Sequence, residues 1–140
     1  MKRFLRIFVV YIALVILGIF NNFAEAEDYY LTVDSRGNSN YLVTETIQFS
    51  PCEYREDGVG SYYCNVKVVP PNSNSFSVDK YQINFTQSLN FIKNGEMYGL
   101  GKSGEVARNK NSVEMKIVAY LKKYHRDHGR GDLEGYWLTK

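Results

Sequence analysis

Cysteine and histidine are the scarcest chemistry-bearing residues of this chain, two of each in 140 residues. Two cysteines are too few for a structural zinc site by themselves. Both histidines, His125 and His128, fall in one charged cluster, so nothing ties either to a particular serine, and no nucleophile system is legible. Proline is also rare, at three residues. Pro70-Pro71-Asn72-Ser73-Asn74-Ser75 is the one linker-like stretch, short enough to be a loop within a single domain. Internal repeats and low-complexity segments are absent.

Motifs that depend on glycine fail for lack of it in the right places. Gly101-Lys102-Ser103 resembles the end of a phosphate-binding loop, but the first glycine of that motif would have to stand at position 96, which is Glu96. His125-Arg126-Asp127 also occurs in kinase catalytic loops, yet no glycine-rich loop, strand lysine or magnesium-binding aspartate accompanies it. Both are set aside. Carboxylates such as Glu53 and Asp57 lie in a hydrophilic loop and read as solvated surface. The sequence therefore assigns no catalytic residue and asks for no cofactor.

What is present first is a leader. Lys2, Arg3 and Arg6 precede an unbroken apolar run from Ile7 to Phe20, and Ala24-Glu25-Ala26 offers a small-x-small cleavage site. This is the three-part pattern of a cleavable signal peptide over residues 1–26, and its core is short for a membrane span. Residues 27–140 are then expected to be one secreted or periplasmic domain, with no membrane span after cleavage. No cysteine stands near the cleavage site to take a lipid.

Removing the leader changes the charge. The chain has 17 basic and 15 acidic residues; without Lys2, Arg3, Arg6 and Glu25 it has 14 of each. The basic balance belongs to the leader, and nucleic-acid binding loses its electrostatic footprint. Within the remainder, residues 27–92 hold 4 basic and 8 acidic groups and residues 93–140 hold 10 and 6. Solvated surface is the plainer reading of that asymmetry, and a basic face for an acidic partner is the sharper one.

Cys52 and Cys64, in an exported chain, read as one disulfide closing a short loop. Strand signals dominate the first two thirds. Tyr29–Val33 is β-prone. Tyr41–Phe49 presents Tyr41, Val43, Ile47 and Phe49 on one face, a pattern broken by Glu45. Ser61–Val69 sets Tyr62, Cys64, Val66 and Val68 on one side, and Phe76–Phe85 sets Tyr81, Ile83 and Phe85 together. Asn94-Gly95 predicts a hairpin with a type I′ turn. Residues 101–111 read as a polar loop. Ser112–His128 supports two readings. As a strand, Val113, Met115, Ile117, Ala119 and Leu121 alternate. As a helix, Val113, Ile117, Tyr120, Leu121 and Tyr124 share a face, with Ser112 as cap and Gly129 as stop. The branched residues and a closing strand at Tyr136–Thr139 favour the strand. The fold expected is all-β, a small antiparallel sandwich or barrel of about 7–8 strands, with α+β, carrying a helix near 113–128, as the alternative.

Tyrosine is the compositional oddity. Eleven of the twelve lie beyond the leader, and neighbours such as Tyr62 and Tyr63 must face opposite sides of a strand. Tyrosine offers contact area with a polar tip. The function expected is therefore non-catalytic binding of a protein partner, as an inhibitor, adhesin accessory or effector. The candidate contacts are Tyr62, Tyr63, Tyr98, Lys102, Arg126, Arg130, Gly131 and Asp132. A barrel carrying a small apolar or lipid ligand is the alternative, and a hydrolase-type enzyme the third. Arg130-Gly131-Asp132 matches the adhesion tripeptide that integrins recognise. His125, His128 and Asp132 could supply metal ligands, against the repulsion of Lys122, Lys123, Arg126 and Arg130. Asn84-Phe85-Thr86 is a glycosylation sequon, meaningful only in a eukaryote.

Overall fold

The computed structural model describes residues 28–54 and 57–133. The leader and the Tyr136–Thr139 strand expectation lie outside the described residues. Six antiparallel strands form one open sheet in simple chain order: β1 (Tyr29–Val33), β2 (Ser39–Pro51), β3 (Gly58–Val69), β4 (Ser77–Thr86), β5 (Leu89–Lys93) and β6 (Glu96–Met97). Two helices follow, α1 (Leu100–Arg108) and α2 (Val113–Asp127). The molecule is mostly β, as its residue pattern predicts, but the sheet is a six-stranded meander backed by helices rather than the expected sandwich or barrel.

Each turn has a local cause. Between β1 and β2, the Asp34 carboxylate accepts from the backbone N–H groups of Arg36 and Asn38, and Gly37 takes a positive φ. Between β5 and β6, Asn94 and Gly95 both have positive φ, as the type I′ reading requires. The Asn94 side chain then ties the turn to β4, accepting from Lys80 N–H and donating to Asp79. Where β2 meets β3, Gly60 stands at φ +146°, and a Cβ there would lie 2.3 Å from the Ser50 carbonyl oxygen. Only glycine permits that approach.

The inward face of β3 and β4 follows the predicted alternation: Tyr62, Cys64 and Val66, then Tyr81, Ile83 and Phe85, are buried. In β2 the expected face is corrected. Asn40 and Leu42 point inward, and after a register break between Val43 and Gln48 the parity switches so that Ile47 is buried. Thr46 fills the break, its hydroxyl accepting from Asn65 N–H and donating to the Val43 carbonyl. Glu45, which spoils the alternation in sequence, lies inside this bulge.

The strand reading of 113–123 is corrected to a helix. Ser112 caps it by accepting from Met115 N–H, Glu114 occupies the positive first turn, His125 and Arg126 the negative last turn, and Gly129 at φ +69° ends it. Ile117, Val118, Leu121 and His125 form its buried stripe. The physical reason is tertiary. The meander leaves one wide apolar face, and a helix laid across it buries that face, which another strand at the sheet edge would not do. The polar loop expected at 101–111 is likewise mostly helix, α1. Among its residues Ser103 is buried and Lys102 lies 4.2 Å over the Tyr98 ring.

The disulfide expectation is also corrected: both cysteines are free thiols. Cys52 N–H donates to the Val59 carbonyl, so Cys52 stands abreast of Val59. Cys64 is several residues farther along β3, about 15 Å away at the rise of a strand, where a bridge needs Cα atoms within about 7 Å. Cys64 faces the core, and burial pushes its thiol up to about 12.

Candidate functional site

Two places stand out, one inside the molecule, where the sequence-predicted Tyr62, His125 and Arg130 meet, and one on its surface, to which only Tyr63 of the predicted residues belongs. The inner place is where the last turn of α2 crosses β3. Tyr62 and His125 are both essentially inaccessible to solvent, and Tyr62 Oη lies 2.6 Å from His125 Nδ1. Arg130, just beyond α2, donates from Nη1 to the same phenol oxygen at 3.4 Å. Arg130 has only protons to give, so the arrangement that uses every group has the phenol accept from Arg130 and donate to Nδ1. His125 is held below its ordinary range, first by burial and then by the nearby Arg130 charge, which keeps it neutral at pH 7. Burial raises Tyr62, against the pull of Arg130, so the phenol keeps its proton. Phe49 completes the cluster, its ring 4.7 Å from Tyr62, 5.2 Å from His125 and 4.9 Å from the Arg130 guanidinium.

This geometry corrects Tyr62 as a partner contact: it is a core residue that fastens helix to sheet. It also separates the metal candidates. His125 points inward to Tyr62, whereas His128 stacks on Tyr124 at 4.0 Å with Nδ1 at the Tyr124 carbonyl. Asp132 lies 3.8 Å from Arg126. Among the described residues no group of three His, Cys, Asp or Glu side chains could hold a metal ion. The Arg130-Gly131-Asp132 turn is surface-exposed; its guanidinium packs on Phe49 and reaches Tyr62, and its carboxylate lies 3.8 Å from Arg126. A cleft of about 440 Å³ opens beside it, lined by Phe49, Cys52, Val59, His125, Arg130 and Asp132. Among the described residues the hydrogen bond recorded for the His125 ring is the one to Tyr62.

The surface place is the sheet face away from the helices. Register aligns Tyr30, Tyr41, Lys67 and Val78 in one row across β1 to β4. The Tyr30 and Tyr41 rings touch edge to face at 5.6 Å, and the Lys67 ammonium sits 4.7 Å over the Phe76 ring. Val43, Asn65 and Lys80 make the next row. Tyr63, Gln82, Ile92 and Met97 make another. Tyr30, Tyr63, Phe76, Val78 and Met97 are all exposed. Lys67 is offset by Asp28 at 3.2 Å, while Lys80 is exposed with no carboxylate partner among the described residues. Of the remaining predicted contacts, Tyr98 is half-buried, donating to Glu114 at 2.9 Å. Arg126 is exposed at the end of α2. The period-two pattern identifies Tyr63 as outward. It does not single out Tyr30, Tyr41 and Val78, whose alignment depends on strand register.

No helix among the described residues is long and apolar enough to cross a membrane. Comparison with protein-family models, with curated proteins and with solved structures finds no match to this chain.

Proposed function

We propose that this protein is a non-catalytic binding domain that acts outside the cytoplasm and holds a protein partner against the free face of its sheet. The observation that carries the reading is the aromatic and aliphatic stripe Tyr30–Tyr41–Lys67–Val78, extended by Phe76 and Tyr63. Side chains of this kind supply large, stiff contact area, and contiguous apolar surface on a small domain marks an interaction site. The fitting partner presents an apolar ridge with a carboxylate placed to meet Lys80. Export rests on the leader of residues 1–26. The free thiols remove the disulfide as a second support for it.

The test is site-specific photo-crosslinking in the producing cell, with a benzophenone amino acid at position 41 or 63 on the free face and at position 123 on the exposed side of α2. The reading predicts one discrete protein adduct from 41 and 63, none from 123, and loss of the adduct in Lys80→Glu. Equal labelling from all three positions, or no adduct from the sheet face, would overturn it.

A further inference from the structure

A second cleft lies at the opposite end of the sheet's helix-covered side, between the β1–β2 turn, the β4–β5 strands and the start of α2. It measures about 460 Å³, and its lining is mostly polar, with Val33 and Val113 among the polar side chains. Two side chains at its base are unusual for their depth: Asn40 is 3% and Tyr81 4% exposed. Asn40 spends its amide protons on the carbonyls of Asn38, at 2.9 Å, and Thr32, at 3.5 Å. Neither its carbonyl oxygen nor the Tyr81 hydroxyl has a hydrogen-bond partner among the described residues, and both residues line the cleft. Neither oxygen is sealed in the core, where Ser103 Oγ is the buried side-chain oxygen without a partner among the described residues; both open onto the cleft, where they are available to something that enters it.

Its electrostatics select the occupant. Glu114 contributes one carboxylate oxygen to Tyr98 and keeps the other. Asp79 is shared between Lys93 at 3.1 Å and Asn94 at 3.0 Å, and Asp34 is engaged by its own turn. Three carboxylates against the single ammonium of Lys93 leave the cleft net negative. The positive end of α2 opposes a cation, and Glu114 in its first turn offsets that. Burial and the neighbouring carboxylates push the Tyr81 phenol far above its ordinary range, so it remains a neutral hydroxyl. Acceptors therefore predominate. An ammonium group carries three N–H donors and one positive charge, which matches the Tyr81 oxygen, the Asn40 carbonyl and a Glu114 oxygen.

We infer that this cleft binds a small primary amine, its ammonium group held by Tyr81, Asn40 and Glu114. The site is independent of the sheet face proposed for the protein partner. The experiment is calorimetric and NMR titration of the full exported chain with 1,5-diaminopentane, with 1,5-pentanediol as the uncharged isostere and sodium chloride at matched ionic strength as the salt control. The amine is expected to bind and to shift the Tyr81 and Asn40 resonances, while the diol and salt do not. Glu114→Gln, which can still accept from Tyr98, should weaken binding about tenfold or more, the scale of a charged hydrogen bond. Tyr81→Phe should weaken it several-fold with the fold intact by circular dichroism. Saturable diol binding of equal strength, amine binding unchanged in Glu114→Gln, or no amine binding at 100-fold excess over protein at millimolar concentration would each overturn the inference.

Discussion

Replacing Tyr62 by Phe removes one oxygen from the centre of the molecule and tests what fastens α2 to the sheet. The ring itself is retained. Its edge-to-face contacts with Phe85 and Tyr124, both at 6.1 Å, and its packing on Phe49 should persist. What is lost is the 2.6 Å bond to His125 Nδ1, leaving a buried ring nitrogen with no partner. That penalty is about 1–3 kcal/mol. The 3.4 Å contact from Arg130 is long, and Arg130 is exposed to water, so its loss adds little. A total near 2 kcal/mol should lower the melting temperature by roughly 6–12 °C in a domain of this size. Removing both partners, in Tyr62→Phe with His125→Leu, should recover part of the loss, because no unpaired group then remains. Urea denaturation of the wild type, the two single variants and the double variant gives the coupling directly. A Tyr62→Phe cost below about 0.5 kcal/mol, or strict additivity, would refute the role given to this pair.

Three further outcomes follow from particular groups. His125 lies below its unfolded value of 6.5, so its contribution is complete above pH 6.5. As pH falls from 6.5 towards the folded pKa, the unfolded chain takes up a proton that the folded chain refuses, and stability drops. Urea midpoints at pH 7.5 and 5.5 should show a smaller drop for His125→Gln than for wild type, and an equal drop would contradict the assignment. A thiol reagent should count two thiols in denaturant, but in the folded protein Cys64 should react far more slowly than Cys52, because it is buried and its thiol is pushed up to about 12. A melting temperature that falls on adding reductant would show a bridge instead. Gly60→Ala sets a Cβ against the Ser50 carbonyl at positive φ and should cost about 2 kcal/mol or more by chemical denaturation, whereas Gly95→Ala, with open space around it, should cost less.

The meander was legible where one-sided burial is strict. Tyr62-x-Cys64-x-Val66 and Tyr81-x-Ile83-x-Phe85 declare their inward faces because Asn65, Gln82 and Asn84 between them are polar, Tyr63 being the exception. Asn94-Gly95 declares its turn because few other pairs accept two positive φ angles. β2 misleads because a bulge changes parity mid-strand, and only Glu45 hints at it. α2 misleads because Val113, Ile117 and Val118 carry β-propensity, whereas the deciding factor is the uncovered face of a sheet built by residues far away in sequence. The cysteine pairing fails for a similar reason: spacing in sequence brings Cys52 and Cys64 close only if the hairpin turns midway between them, and it turns nearer Cys52. The polar cleft was not legible at all. Nothing in Ser39-Asn40-Tyr41 marks Asn40 as buried, since the parity of β2 had first to be known.

Everything proposed for the partner depends on helices covering one side of the sheet and leaving the other bare. Hydroxyl-radical footprinting read by mass spectrometry, residue by residue, tests this on two neighbours: Tyr63 is 41% exposed and Tyr62 is 0%. The fold predicts rapid modification of Tyr63 together with Tyr30, and protection of Tyr62 together with Tyr81. Comparable modification of Tyr62 and Tyr63, or protection of Tyr63 and Tyr30 by a second layer, would contradict it.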